Sequence, residues 1–135
     1  MTPRGERRLL QAVVALACLV PLGIGGQGVL HGPGFLGRPP VIPTDLDSHF
    51  RYLSGIFLAV GVAFASCIGR IEARGERFRL LGTLVMAGGC ARLVSLANVG
   101  APSAGHLAGL AMELGGMPLL MLWQARLARR WRRRG

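Results

Sequence analysis

Residues 46–68 read LDSHFRYLSGIFLAVGVAFASCI, and from Tyr52 to Ile68 this stretch carries no charged side chain. A helix needs about 20 mostly apolar residues to cross a ~30 Å hydrocarbon core, and this run has that length. Three further runs match it, at about 9–30, 78–96 and 106–123. The gaps between them are too short for a separate soluble domain, and no stretch alternates with the period of two that a half-buried strand requires. The expected fold is therefore all-α, a transmembrane four-helix bundle forming a single domain over residues 1–135. Composition agrees: 51% of the residues are hydrophobic and 16% charged, well below the usual quarter, which excludes a disordered chain and argues against a DNA-binding domain.

Start signals accompany two of the runs. Thr44 and Asp47 after Pro43 form a Thr-x-x-Asp pattern, and Ser103 follows Pro102 ahead of the fourth run. Arg7 and Arg8 before Leu9–Val20 resemble the opening of a signal peptide. The apolar run continues past Cys18 almost to Leu30, however, so a retained first helix is expected.

Charge placement sets an orientation. All 16 basic residues are arginine. With four crossings, thirteen of them fall on one side: Arg4, Arg7 and Arg8; Arg70, Arg74, Arg77 and Arg79; and the run from Arg126 to Arg134 in a basic tail, 124–135. Set against Glu6, Glu72 and Glu76, they leave the whole net charge of +10 on that face. The other face balances Arg38 and Arg51 against Asp45 and Asp47, and Arg92 and Glu113 cancel within the helices. By the positive-inside rule both termini are expected in the cytoplasm. An arginine run directly after a membrane helix is expected to meet anionic lipid head groups rather than nucleic acid. Trp123 and Trp131 near that boundary suit interfacial anchoring.

Catalytic chemistry finds little to stand on. Cys18, Cys67 and Cys90 all fall in apolar runs, and no Cys-x-x-Cys dithiol exists. His31, His49 and His106 lack metal-ligand spacing, and Met112, Met117 and Met121 read as packing. Asp47, Ser48 and His49 are consecutive, so on a helix they point apart and cannot serve one another as a triad. No catalytic residue, metal site or cofactor is expected.

The ionisable residues inside the apolar runs carry the functional reading, because a charge there costs about 2.5–3.5 kcal/mol on the insertion scale. Counted along the helices, Arg51, Arg92 and Glu113 reach similar depths in the outer half of the bilayer. Gln27, His49 and His106 are peripheral members. Asp47 and Arg51 are four apart and share a face, as do Asp45 and His49. Gly55, Gly88, Gly89, Gly105 and Gly109 are expected to let the helices approach closely. Two readings are open: a structural Arg–Glu clamp, or a polar pocket open to the outer side.

Three stretches also carry a resemblance: Leu46 to Gly55, Gly88 to Ser95, and Glu113-Leu114 with Pro118 through Gln124. Together they resemble the bacterial four-helix membrane family catalogued as domain of unknown function 4345, and more loosely the DoxX-like small membrane proteins. The resemblance implies a small integral inner-membrane protein and brings no catalytic role. Its polar motif positions here are Asp47, Arg51, Arg92, Ser95 and Glu113. Small multidrug transporters are less similar, since their essential glutamate lies in the first helix and this first apolar run has none. The expected function is a non-enzymatic membrane protein that binds a lipid-like or small polar ligand, or supports a membrane complex as a homo-oligomer or with a partner protein. The alternative is a small oligomeric transporter.

Overall fold

The computed structural model describes residues 2–37 and 41–133; Arg38, Arg134 and Gly135, which entered the charge and tail assignments, lie outside them. The described residues are helical apart from short connections: α1 (Pro3–His31), a 3-10 turn (Gly32–Leu36), α2 (Thr44–Ile68), α3 (Gly75–Val99), α4 (Ala104–Ala111), a π-helical segment (Met112–Gly116) and α5 (Met117–Arg132). Four stretches, Pro3–Leu36, Thr44–Ile68, Gly75–Val99 and Ala104–Arg132, are long and apolar enough to cross a membrane. Large apolar side chains such as Leu16, Leu19, Leu80, Val94 and Leu122 are exposed on them. Lipid tails would cover such surfaces; water would not.

Two helix limits differ from the sequence reading. α1 begins at Pro3 because Thr2 accepts the Gly5 N–H through Oγ1 (3.2 Å) and proline suits the first helical position. The expected basic tail continues α5 to Arg132, with Leu127 and Ala128 buried on its inner face. The expected caps also form differently. α2 is preceded by Pro43 with no side-chain cap, and Asp47 turns to Arg51 instead. Ser103 precedes α4, but its hydroxyl meets His106 Nδ1 at 2.9 Å.

The chain packs as two compact units. The first is Gln11–Gly69, an antiparallel hairpin of α1 and α2. Small residues set its register. A Cβ on Gly25 would lie 2.8 Å from the Leu58 backbone nitrogen, one on Gly61 would meet Pro21 at 3.0 Å, and one on Gly28 would collide with Ser54. Gly32 closes α1 at φ +63°, a left-handed conformation that disfavours side chains, and faces Asp47 and Arg51. Each helix also lends a side chain to the last carbonyls of the other, groups that no intrahelical donor reaches. Gln11 Nε2 donates to Ile68 O at 2.7 Å, and Arg51 donates to Val29 O and Leu30 O at 2.6 and 3.0 Å. Cys18 and Cys67 are buried in this unit, and the Cys67 thiol donates to Ala63 O at 3.5 Å.

The second unit joins the described residues up to Leu10 to those from Arg70 onward. A turn at Arg70–Arg74 leads into α3, which ends at Gly100 (φ +108°) with its N–H on Leu96 O. α3 packs antiparallel on the α4–π–α5 run: Gly82 lies under Met121 and Met117, and Gly89 under Leu114 and Glu113. Of the glycines expected to allow close approach, Gly89 does so, while Gly88 and Gly105 have no atom of a neighbouring element within 4 Å of a Cβ placed there. The arginine-rich end is tied by polar contacts. Glu6, only 5% exposed, accepts from Trp123 Nε1 (3.3 Å) and from Arg130. Arg7 pairs with Glu72 at 2.9 Å and lies 5.5 Å over the Trp131 ring. The fully buried Gln124 donates to Ile71 O at 2.7 Å.

Candidate functional site

Among the polar residues expected to cluster, Arg51 pairs with Asp47 in the first unit and Arg92 with Glu113 in the second. In the first unit Arg51 is heavily committed. Nε and Nη2 reach the Asp47 carboxylate at 2.8 and 3.3 Å, and Nη1 bridges two terminal carbonyls of α1. The planar guanidinium can serve both partners at once because its donors form a fixed fork. This arrangement closes the hairpin and leaves little donor capacity for anything else.

A ranking of variants tests that assignment. Arg51→Lys is expected to melt below wild type in detergent micelles, since an ammonium cannot hold the carboxylate and both carbonyls together. Arg51→Ala should melt lower still. Asp47→Asn should cost less than Arg51→Ala, because the carbonyl contacts survive it. Equal melting temperatures for Asp47→Asn and Arg51→Ala would reduce the contact to a simple ion pair.

The second pair is built differently. Arg92, on α3, places Nε 3.2 Å from Glu113 Oε2, and its side chain remains 41% exposed against 14% for Glu113. Glu113 belongs to the π-helical segment, where the Met117 N–H bonds to Met112 O, five residues back. Such one-turn insertions are frequent at functional sites, because they leave backbone geometry that a regular helix would not adopt. Gly89 on α3 makes room for the bulge: a Cβ there would stand 3.0 Å from Glu113 Cβ. Gly109 similarly faces Arg92 Nη1, at 3.7 Å from a Cβ placed on it. The pair meets at ion-pair distance without a well-directed hydrogen bond, so the buried Oε2 accepts none. Among the described residues, Arg92 donates no hydrogen bond to the protein.

Ser95 is exposed on α3 and belongs to neither pair. Gln27 is exposed on α1, and His49 lies beside Tyr52 with ring centroids 6.4 Å apart. His106 is taken up by Ser103. The sequence reading missed the π segment, the carbonyl contacts of Arg51 and the Glu6 network. Spacing rules could have signalled only Thr2-Pro3, an N-cap followed by proline at the first helical position.

A family model described as Domain of unknown function (DUF4345) matches residues 9–124. No curated protein and no solved structure matches the chain.

Proposed function

The chain belongs to the family described as Domain of unknown function (DUF4345), and from that premise we propose that it is a non-enzymatic, multi-pass protein of a bacterial inner membrane whose Arg92–Glu113 pair receives the polar head group of a membrane-borne molecule. One observation carries this reading. Arg92 is a half-exposed guanidinium in an apolar span that gives the protein one ion-pair contact through Nε and no hydrogen bond among the described residues, whereas the comparable Arg51 makes four hydrogen bonds. With no water in the hydrocarbon region, an unmatched donor there costs several kcal/mol, and a ligand oxygen relieves it.

In this reading both termini and the Arg70–Arg79 segment face the cytoplasm and meet anionic lipid head groups, as the distribution of arginine supports. A fluorescent protein fused after the last residue should then fold and shine, while alkaline phosphatase at the same point should be inactive. The reverse pattern would overturn the orientation.

Native mass spectrometry of the protein gently extracted from its own membrane tests the site. A discrete small-molecule adduct on wild type that disappears in Arg92→Gln is the expected result. An adduct retained in Arg92→Gln, or a spectrum showing only the bare chain or a protein partner, would return the pair to a helix clamp.

A further inference from the structure

We infer that the head group received at Arg92–Glu113 is zwitterionic, carrying an anionic phosphate-type group beside a small N–H donor such as a primary ammonium. This rests on the head-group reading above and adds the chemistry of the ligand.

Three features of the pair lead there. First, Arg92 and Glu113 together are electrically neutral, and they lie in apolar spans. A ligand of net charge would leave that charge uncompensated at low dielectric, while a zwitterion adds none. Second, the pair lacks partners of both kinds. Arg92 turns Nε to the buried Glu113 Oε2 at 3.2 Å and offers its remaining guanidinium N–H groups with no protein acceptor among the described residues, and the Glu113 carboxylate, still 14% exposed, accepts no hydrogen bond from those residues. A simple anion would satisfy the first and repel the second. A group that ends in both phosphate oxygens and an N–H donor answers each with a charge-assisted hydrogen bond.

Third, the two sides differ in access. The Arg92 side chain is 41% exposed and Glu113 only 14%. The bulky, many-oxygen end of the ligand therefore belongs at Arg92. What reaches the carboxylate must be small and must carry its own hydrogen. A primary ammonium meets both conditions. A trimethylammonium is larger and has no N–H to give. The π segment that carries Glu113, and Gly89 against it, hold the carboxylate on this face of the helix pair.

The test uses the full-length protein in detergent, titrated with phosphatidylethanolamine, phosphatidylcholine and phosphatidylglycerol of matched acyl chains and read by native mass spectrometry. Wild type should bind phosphatidylethanolamine about tenfold tighter than either of the others, the scale of one added charge-assisted contact. Glu113→Gln should erase the preference for phosphatidylethanolamine over phosphatidylcholine. Arg92→Gln should weaken both, and Arg92→Lys should restore part of the loss. Soluble phosphoethanolamine that displaces the lipid would identify the free head group as sufficient; failure to displace it assigns binding to the whole lipid.

The order of the three lipids on wild type decides the charge of the ligand even where a variant folds poorly, and Arg92→Gln decides the site. Tightest binding of phosphatidylglycerol, lost in Arg92→Gln, would overturn the zwitterion and leave the head-group site standing. Equal binding of all three lipids, unchanged in Arg92→Gln, would overturn both.

Discussion

Arg92→Ala should lower the unfolding free energy of the protein in bicelles by about 3 kcal/mol, the scale of an uncompensated charge in an apolar span. The single change leaves Glu113, 14% exposed, without the guanidinium that stands 3.2 Å away. Removing both members should hurt less than removing Arg92 alone, because the carboxylate that made the loss costly is gone. The double-mutant cycle, measured by steric trapping or reversible denaturation, should return a coupling of about 1–3 kcal/mol. Additive losses would mean that the two side chains do not interact directly. Glu113→Gln keeps the shape and removes the charge, so it should fall between wild type and Arg92→Ala.

Gly25→Ala is the second large effect. The added methyl would sit 2.8 Å from the backbone nitrogen of Leu58 and 3.0 Å from its Cα. Backbone atoms cannot rotate away as a side-chain tip can, so α1 and α2 must separate locally, at about 1–3 kcal/mol for overpacking of this kind. Close approach at small residues is what holds helices together where no hydrophobic force acts between them. Gly23 and Gly26 lie on the same helix with no atom of a neighbouring element within 4 Å of a Cβ placed there. Alanine at those positions should be neutral or stabilising by about 0.5–1 kcal/mol, through helix propensity alone. Thermal melts of the three variants side by side check the contrast. Equal melts would show that the contact at Gly25 yields freely.

The apolar runs were readable because hydrophobic length is a local property, and the four runs overlap the four helices. Helix ends rich in arginine were not. Arg126 to Arg132 read as a tail, yet Leu127 and Ala128 are buried there and Arg130 reaches Glu6, a partner 124 residues away. Periodicity does not encode such a contact. The Asp47–Arg51 pair followed from i,i+4 spacing. The use of Arg51 to close α1 did not, since it depends on where the chain returns after Gly32. Depth counting placed Arg92 and Glu113 at compatible heights, and the two do meet. It gave no hint of the π segment, which inserts a residue into the turn carrying Glu113 and shifts the helical phase on which such counting relies.

The contacts of Glu6 also fix an order of events during synthesis. Its two partners, Trp123 and Arg130, leave the ribosome 117 and 124 residues after it. At ordinary translation rates the first of them follows about 6–23 s later. Every residue that closes the hairpin from Gln11 to Gly69 has by then been synthesised, including the pairs Gln11 with Ile68 and Arg51 with Val29. Throughout that interval the Glu6 carboxylate has neither Trp123 nor Arg130 to meet, and any insertion factor that shelters the nascent chain has that time in which to act.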